Sequence, residues 1–146
     1  MALRINLGEL FHDCANRYDD RPCITIAPSG QTLSYAELER YINRFAHGLR
    51  AEFGASHRYM AIMLENGIPY LGASYALKKL DMIEVSINRA FRGPALARMI
   101  NLPQPRVLIT STAHLDALSA IKDKLLHLEA LIMTDGMAEA KEIFPE

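Results

Sequence analysis

The sequence predicts an α/β fold: a three-layer arrangement in which a mainly parallel sheet is flanked by helices, with a hairpin near the N-terminus. Three observations support this class. Short apolar runs alternate with helix-like segments between residues 58 and 110. These runs lack the polar alternation of half-exposed strands, which is typical of parallel strands covered on both faces. Two other β-rich runs surround a turn that contains proline and glycine, as in an antiparallel hairpin.

The N-terminal region encodes a capped helix and this hairpin. Asn6 can cap a helix over Leu7–Tyr18, and Glu9 is placed to complete a capping box. The apolar face of the helix comprises Leu7, Leu10, Phe11, Cys14 and Ala15. The hairpin strands are expected over Cys23–Ala27 and Gln31–Tyr35. Pro28-Ser29-Gly30 supplies the turn between them.

A second helix is predicted to begin after Ser34. Ser34 and Glu37 match S-x-x-E, in which the serine and the glutamate satisfy each other's backbone amides. An apolar stripe at helical spacing is expected to face the sheet. The stripe comprises Leu38, Ile42, Phe45, Ala46 and Leu49. Gly54 suits the C-cap, and Ala55-Ser56-His57 is expected to be the loop into the next strand.

The central strands and helices follow from residue 58. Strands are expected over Arg58–Leu64, Met82–Ile87 and Arg106–Thr110, and helices over Pro69–Lys79 and Pro94–Ile100. Beyond them, a helix over Thr112–Leu126 and a strand over Leu128–Thr134 are expected. Leu115, Leu118, Ile121 and Leu125 would face inward. The charged tail, Asp135–Glu146, is expected to be a frayed helix or a cut end.

Length and composition favour one domain over residues 1–146. Half of the 146 residues are apolar, so the chain can bury a core without disulfides or metal. Sixteen basic and seventeen acidic residues give a net charge of −1, which excludes an overall electrostatic footprint for nucleic acid or an anionic membrane. No apolar run approaches a membrane span, so a cytoplasmic location is expected. Cys14 and Cys23 are expected to be free thiols there.

No catalytic motif is visible in the residues themselves. The phosphate-binding patterns G-x-G-x-x-G and G-x-x-x-x-G-K-[ST] are absent, and so is the G-x-S-x-G elbow. The five histidines show no zinc-type spacing. Asn66 and Gly67 follow a strand and could line a ligand cleft, although loop chemistry explains them equally well.

Five stretches in order resemble the opening of the adenylate-forming enzymes, which include acyl-CoA synthetases, peptide-synthetase adenylation domains and luciferases. They are residues 33–38, 43–50, 60–66, 77–88 and 106–110. The first two resemble L-[TS]-Y-x-E-L and N-R-x-A-x-x-L, and the third resembles V-A-I-x-x-x-N. The fourth resembles L-x-K-x-G-x-x-x-x-P-[LI]-N, with Asp81 at the usual glycine and Ser86 at the usual proline.

This resemblance implies an N-terminal subdomain of an enzyme that activates a small-molecule carboxylic acid with ATP and Mg²⁺, and then transfers the acyl group to coenzyme A. The five stretches most resemble those of acyl-CoA ligases of the carnitine/crotonobetaine or fatty-acid type. The family's phosphate loop and catalytic lysine would lie downstream of the residues given. The chain is therefore expected to be an N-terminal fragment of a larger AMP-binding domain, without catalytic residues and inactive alone.

The same resemblance suggests one weak binding site. In CoA-forming relatives the loop after the second parallel strand can approach the CoA nucleotide, and Asn88, Arg89 and Arg92 occupy that loop here. A guanidinium suits a phosphate, but a solvated loop explains the same residues. An apolar surface exposed by truncation would also allow homo-oligomers. The alternative to a ligase fragment is a stand-alone, non-catalytic α/β binding or regulatory module.

Overall fold

The computed structural model describes residues 6–27, 29–54 and 58–144. The predicted turn residue Pro28 and the predicted loop Ala55-Ser56-His57 lie outside the described residues. The helices are α1 (Leu7–Tyr18), α2 (Tyr35–Phe53), α3 (Ile68–Lys79), α4 (Gly93–Asn101), α5 (Leu115–Ser119) and α6 (Met137–Ile143). The strands are β1 (Pro22–Ile26), β2 (Gln31–Ser34), β3 (Tyr59–Met63), β4 (Ile83–Ser86), β5 (Val107–Thr110) and β6 (Ala130–Met133). The α/β class and the hairpin are thereby confirmed.

The described residues form two compact units. The first contains those of Met1–Ser56 together with Asn66–Met82, and the second contains those of His57–Glu65 and Ile83–Glu146. The first unit holds the hairpin and helices α1 to α3, and the second holds the parallel sheet and helices α4 to α6.

Both predicted N-caps of the first unit are present. The Asn6 carboxamide oxygen accepts hydrogen bonds from the amides of Gly8 and Glu9. The return bond predicted for Glu9 is not found among the hydrogen bonds of the described residues. Ser34 and Glu37 form a complete capping box, and Gly54 ends α2 with a φ of 59°. The cap residues therefore set the ends of both helices where the sequence places them.

The face that α1 buries differs from the predicted one. Leu7 and Leu10 are 49% and 50% exposed, whereas Gly8 and Ala15 are buried. A Cβ atom built on Gly8 would lie 2.8 Å from both the amide nitrogen and the Cα of Lys79. Because only glycine permits this approach, α1 meets the C-terminal end of α3 through its backbone, and its leucines remain at the surface.

Asp81 occupies the position where the adenylate-forming pattern has glycine. Its φ of 54° lies in the left-handed region, which explains why glycine suits this position. The Asp81 carboxylate accepts a 3.0 Å hydrogen bond from the Asn6 carboxamide. Asp81 therefore holds the N-cap residue of α1 beside the turn that follows α3, and it does so in a backbone conformation that is strained for a residue other than glycine.

A polar network lies among helices α1, α2 and α3. The Glu39 carboxylate is buried, and its Oε1 atom accepts bonds from Lys79 Nζ at 2.5 Å and Asn43 at 3.2 Å. His12 Nδ1 lies 2.8 Å from the same oxygen, and Lys79 also donates to Asn43 Oδ1 at 2.8 Å. The network connects the three helices around one buried negative charge.

The second unit is built on a parallel sheet in the order β4-β3-β5-β6. Every residue of β5 is buried, and so is every residue of β3 after Tyr59, so both faces of these central strands are covered. On one face Ala61, Met63 and Leu108 pack in a cluster with residues of α4 and α5. The predicted strands are confirmed, and the continuous apolar runs reflect burial on both faces.

The segment predicted as a helix over Thr112–Leu126 is broken. Only Leu115–Ser119 is α-helical, and short 3₁₀ turns lie on either side at Thr112–His114 and Lys122–Lys124. Leu115, Leu118 and Ile121 are buried as predicted. Apolar spacing therefore identified the inward side chains but not the breaks, because 3₁₀ turns can present nearly the same face as an α-helix.

Candidate functional site at the carboxyl edge of the parallel sheet

Charged or titratable residues follow the ends of all four parallel strands. Because the strands are parallel and in register, their carboxyl ends lie along one edge of the sheet of the second unit. We define the carboxyl-edge cluster as the charged or titratable residues that follow these ends. They are Glu65 after β3, Arg89 and Arg92 after β4, His114 after β5, and Asp135 after β6. Ligands of open α/β sheets bind at such edges.

The loop after β4 has a defined conformation. The Asn88 side chain accepts a 2.9 Å bond from the amide of Ala90, which is a local turn contact. Arg89 Nη1 lies 2.7 Å from Glu65 Oε1, and both side chains are substantially exposed. Arg92 Nη1 donates to the carbonyl oxygens of Arg89 and Phe91. Since each guanidinium has five N–H donors, the two arginines retain donors for a ligand.

His114 is the buried member of the carboxyl-edge cluster. His114 is only 4% exposed, and its Nε2 atom has no hydrogen-bond partner among the described residues. Burial lowers the pKa of His114, and the positive charge of Arg89 lowers it further. The carboxylate of Glu65 acts in the opposite direction. The pKa of the imidazole is therefore lowered overall, which favours its neutral form.

Hydrogen bonds fix the backbone around His114. The Asp135 carboxylate accepts a 2.7 Å bond from the amide of Thr112. The buried hydroxyl of Thr110 donates to the carbonyl oxygen of Met63 at 3.1 Å, which joins the ends of β5 and β3. The first contact joins the segment after β6 to the segment after β5, and the second joins the ends of β5 and β3.

The carboxyl-edge cluster is suited to binding an anion rather than a metal ion. Two exposed guanidiniums can pair with a phosphate or carboxylate, while Glu65 and Asp135 keep the cluster close to neutral overall. Within residues 6–27, 29–54 and 58–144, no group of three or more His, Cys, Asp and Glu residues is placed to hold a metal ion. No helix of the described chain is long and apolar enough to span a bilayer.

The residues that the sequence singled out lie in both units of the structure. Asn88, Arg89 and Arg92 lie together in one loop of the second unit, and Asn66 and Gly67 lie at the start of α3 in the first. Sequence reasoning did not assign Glu65, His114 or Asp135 to a site. The available signal was positional, because each of them follows a strand of the predicted parallel sheet.

Comparison with known proteins gives a consistent family. The AMP-binding enzyme family matches residues 11–145. The medium/long-chain-fatty-acid–CoA ligase FadD6 of Mycobacterium tuberculosis is 31% identical over 120 residues, covering 82% of this chain and 19% of that protein. A long-chain-fatty-acid–CoA ligase of Salmonella typhimurium is 25% identical over 139 residues, covering 93% of this chain and 24% of the ligase.

Solved structures share the fold. The N-terminal domain of FACL13 from Mycobacterium tuberculosis superposes with a TM-score of 0.84 at 20% identity, covering 95% of this chain and 36% of that one. A long-chain-fatty-acid–CoA ligase, FadD1, from Archaeoglobus fulgidus gives a TM-score of 0.84 at 16% identity, with 99% and 30% covered. The chain spans about a fifth to a quarter of the length of the two curated ligases above. On the family match over residues 11–145, the chain belongs to the AMP-binding enzymes.

Proposed function

We propose that this chain is the N-terminal part of an ATP-dependent acyl-CoA ligase. In the proposed reaction a carboxylate oxygen attacks the α-phosphorus of ATP, pyrophosphate leaves, and an acyl-AMP forms. The thiol of coenzyme A then attacks the acyl carbon, AMP leaves, and a thioester forms with loss of the thiol proton. The observation that carries this proposal is the family match over residues 11–145, together with relatives named as fatty-acid–CoA ligases.

In this proposal the chain contributes framework rather than catalytic groups. Adenylate formation needs donors that stabilise charge developing around phosphorus. The described residues offer no glycine-rich phosphate loop and no cluster that fits Mg²⁺, so the proposal assigns to this chain no residue that holds the triphosphate or the metal ion. A fatty acid is the substrate class that the names of the relatives favour. A cytoplasmic location is part of the proposal, since the reaction would consume ATP and coenzyme A.

The test of the proposed function is pyrophosphate release. The 146-residue chain, incubated with ATP, Mg²⁺ and a range of fatty acids, is expected to release none above the rate without enzyme. A longer product of the same reading frame that contains a phosphate loop and the catalytic lysine is expected to release pyrophosphate only when acid is present. Release by the 146-residue chain alone would contradict the proposal, and so would a stop codon directly after residue 146, which favours the non-catalytic module.

A finer part of the proposal places the CoA nucleotide beside the loop of Asn88, Arg89 and Arg92. Arg89 and Arg92 fit a phosphate because both are exposed, and each uses only some of its donors within the protein. Removing a charge-assisted hydrogen bond typically costs about 1.5–3 kcal/mol, or about tenfold or more in affinity. Arg89→Ala and Arg92→Ala in the intact ligase should each weaken CoA binding by about this factor.

Calorimetric titration with CoA measures this effect, and pyrophosphate release provides the control. Adenylate formation precedes CoA attack, so both variants should keep wild-type pyrophosphate release at saturating ATP. Arg40→Ala and Arg44→Ala, which remove exposed arginines from α2, are matched controls. Unchanged CoA affinity in both loop variants would remove the proposed contact without affecting the ligase assignment.

We also propose that the chain associates with a second copy of itself. An open apolar groove lies between the edge strand β6 and α6, lined in part by Leu131, Met133, Met137 and Phe144. Met137 is 57% exposed. An apolar groove of this kind favours association with another apolar surface. Sedimentation over a range of protein concentrations tests this, and Leu131→Lys should keep the chain monomeric if the groove is the contact.

A further inference from the structure

The His114 imidazole is buried in a place that does not suit its charged form. The residue is 4% exposed, and its Nε2 atom bonds to none of the described residues. Because a protonated imidazole donates from both nitrogens, protonation here would bury a charge and an N–H group without a described acceptor. The residues that bury His114 belong to this chain, so further protein around them would leave it buried. Proton uptake is therefore favoured by movement of the His114 segment into water.

The pKa of His114 reflects its burial and the charges that follow the neighbouring strands. Burial lowers the pKa below its usual 6.5 more than any charge does. Arg89 and Arg92, which follow β4, lower it further. Glu65, which follows β3, and Asp135, which follows β6, act in the opposite direction. An imidazole released into water escapes the burial penalty and binds its proton at higher pH, so acidification favours the released form.

A second contact holds the His114 segment at the sheet. The amide of Thr112 donates a 2.7 Å hydrogen bond to the Asp135 carboxylate. A Cβ atom on Gly136 would overlap Thr112 Cγ2, so the backbone of Gly136 lies directly against that side chain. We call the contact of Thr112 with Asp135 and Gly136 the clasp. Thr112 and His114 share one 3₁₀ turn, in which the His114 amide donates to the Ser111 carbonyl oxygen at 3.1 Å. Movement of the imidazole into water would therefore also open the clasp.

The clasp lies at the start of α6. Gly136 directly precedes this helix, and its carbonyl oxygen accepts a 3.2 Å bond from the amide of Ala140. The helix has seven residues, of which only Ala140 is buried. Helices this short are not stable without tertiary contacts. α6 therefore depends on the clasp and on its packing against α5, which begins directly after His114.

We propose that His114 is a pH-sensitive switch whose protonation opens the clasp and frees the start of α6 while the parallel sheet stays folded. The sheet is expected to persist because β5 ends at Thr110, before the moving turn, and pairs with β3 on one side and β6 on the other. Such local openings cost less free energy than global unfolding. The proposal does not depend on the ligase activity.

Amide hydrogen exchange followed by NMR at about pH 7 and about pH 5.5 tests the proposal, after correction for the intrinsic pH dependence of exchange. In the wild-type chain, the opening equilibrium reported by the Thr112 and Ala140 amides should rise by about three- to tenfold on acidification, because opening takes up one proton. Urea well below the unfolding transition should change this opening little, since little surface is exposed. The amides of β3 should stay much better protected at both pH values.

Matched variants assign the effect to His114. His114→Gln should abolish the rise, whereas His127→Gln, the same substitution at an exposed histidine, should retain it because His114 is still present. Arg89→Gln removes a cation that opposes protonation of His114, so opening should begin at higher pH. Arg106→Gln removes an exposed arginine that precedes β5 and should leave that pH unchanged.

Circular dichroism checks that each variant is folded, and the two arginine variants decide the outcome if His114→Gln is not. The proposal is overturned if acidification does not increase opening in the wild-type chain, or if His114→Gln keeps the wild-type rise. It is also overturned if Arg89→Gln opens at the wild-type pH. Exchange of the Thr112 and Ala140 amides only together with those of β3 would mean global unfolding, which likewise contradicts a local switch.

Discussion

At the scale of single residues, the carboxylate of Glu39 is buried and forms an ion pair with Lys79. Burial alone would raise its pKa, but hydrogen bonds from Lys79 and His12, together with the charge of Lys79, lower it overall. The Glu39 Oε2 atom is buried and has no hydrogen-bond partner among the described residues. The carboxylate is therefore stabilised through a single oxygen, and its stability depends on Lys79.

The Lys79→Met variant tests that dependence. Removing one partner of a buried ion pair leaves an uncompensated charge and typically costs about 3 kcal/mol or more. We expect Lys79→Met to lower the free energy of unfolding by about that amount, and Glu39→Gln added to it to restore part of the loss. Urea unfolding of both single variants and the double variant measures the coupling.

The exposed pair of Arg106 and Glu129 is the control for this cycle. Its side chains are 52% and 50% exposed, so Arg106→Met should change stability by less than about 1 kcal/mol. Equal losses in the free energy of unfolding for Lys79→Met and Arg106→Met would show that the Glu39 network stabilises the chain no more than an exposed ion pair does.

At the scale of elements, the contact between α2 and α3 depends on a glycine. A Cβ atom on Gly72 of α3 would overlap the ring of Tyr41 on α2. Gly48 lies inside α2, and a Cβ atom there would meet no described atom within 4 Å. The two helices therefore contain one glycine that packing requires and one that it does not.

Gly72→Ala and Gly48→Ala should have opposite effects. Overpacking at Gly72 should lower the free energy of unfolding by about 1–3 kcal/mol. Alanine at Gly48 should raise it by about 0.5–1 kcal/mol, because glycine is the poorer helix former. Thermal unfolding of the two variants gives the comparison. A stabilised Gly72→Ala chain would mean that α2 and α3 do not approach each other as closely as described.

Elements were predictable from sequence where local chemistry sets their ends. The caps at Asn6, Ser34 and Gly54 act within a few residues, so α1 and α2 begin and end at the predicted positions. The breaks on either side of Leu115–Ser119 and the exposed leucines of α1 were not predictable. They depend on contacts with residues far away in the sequence, such as the approach of Gly8 to Lys79.

At the scale of the whole molecule, two buried groups make the chain sensitive to acid in the same direction. His114 has a pKa below its usual value of 6.5, chiefly because it is buried. Glu39 has a pKa below its usual value of 4.5. In both cases the unfolded state binds the proton first as pH falls, so protonation favours unfolding. The His114 contribution is lost as pH falls below 6.5, and the Glu39 contribution below 4.5.

Replacing His114 separates the two contributions. Between about pH 7 and 5, His114→Gln should make the free energy of unfolding less dependent on pH than in the wild-type chain, while the fall at lower pH remains. Urea unfolding at a series of pH values measures this slope. His127→Gln, which makes the same substitution at an exposed histidine, is the matched comparison. An unchanged slope in His114→Gln would mean that the imidazole is not held neutral by burial.

The fold class, the order of the strands in the chain, the two capped helices and the family were determined by the sequence alone. Hydrophobic periodicity and cap chemistry act locally, and the five family stretches are linear patterns that need no contacts to be read. Only the tertiary structure decided which strands are neighbours, and that Glu65, Arg89, His114 and Asp135 follow strand ends along one edge of the sheet. It also decided that the Asn101 side chain, at the end of α4, bonds to the backbone at Lys124 and Leu126. Those juxtapositions join residues far apart in the chain, so no local pattern encodes them.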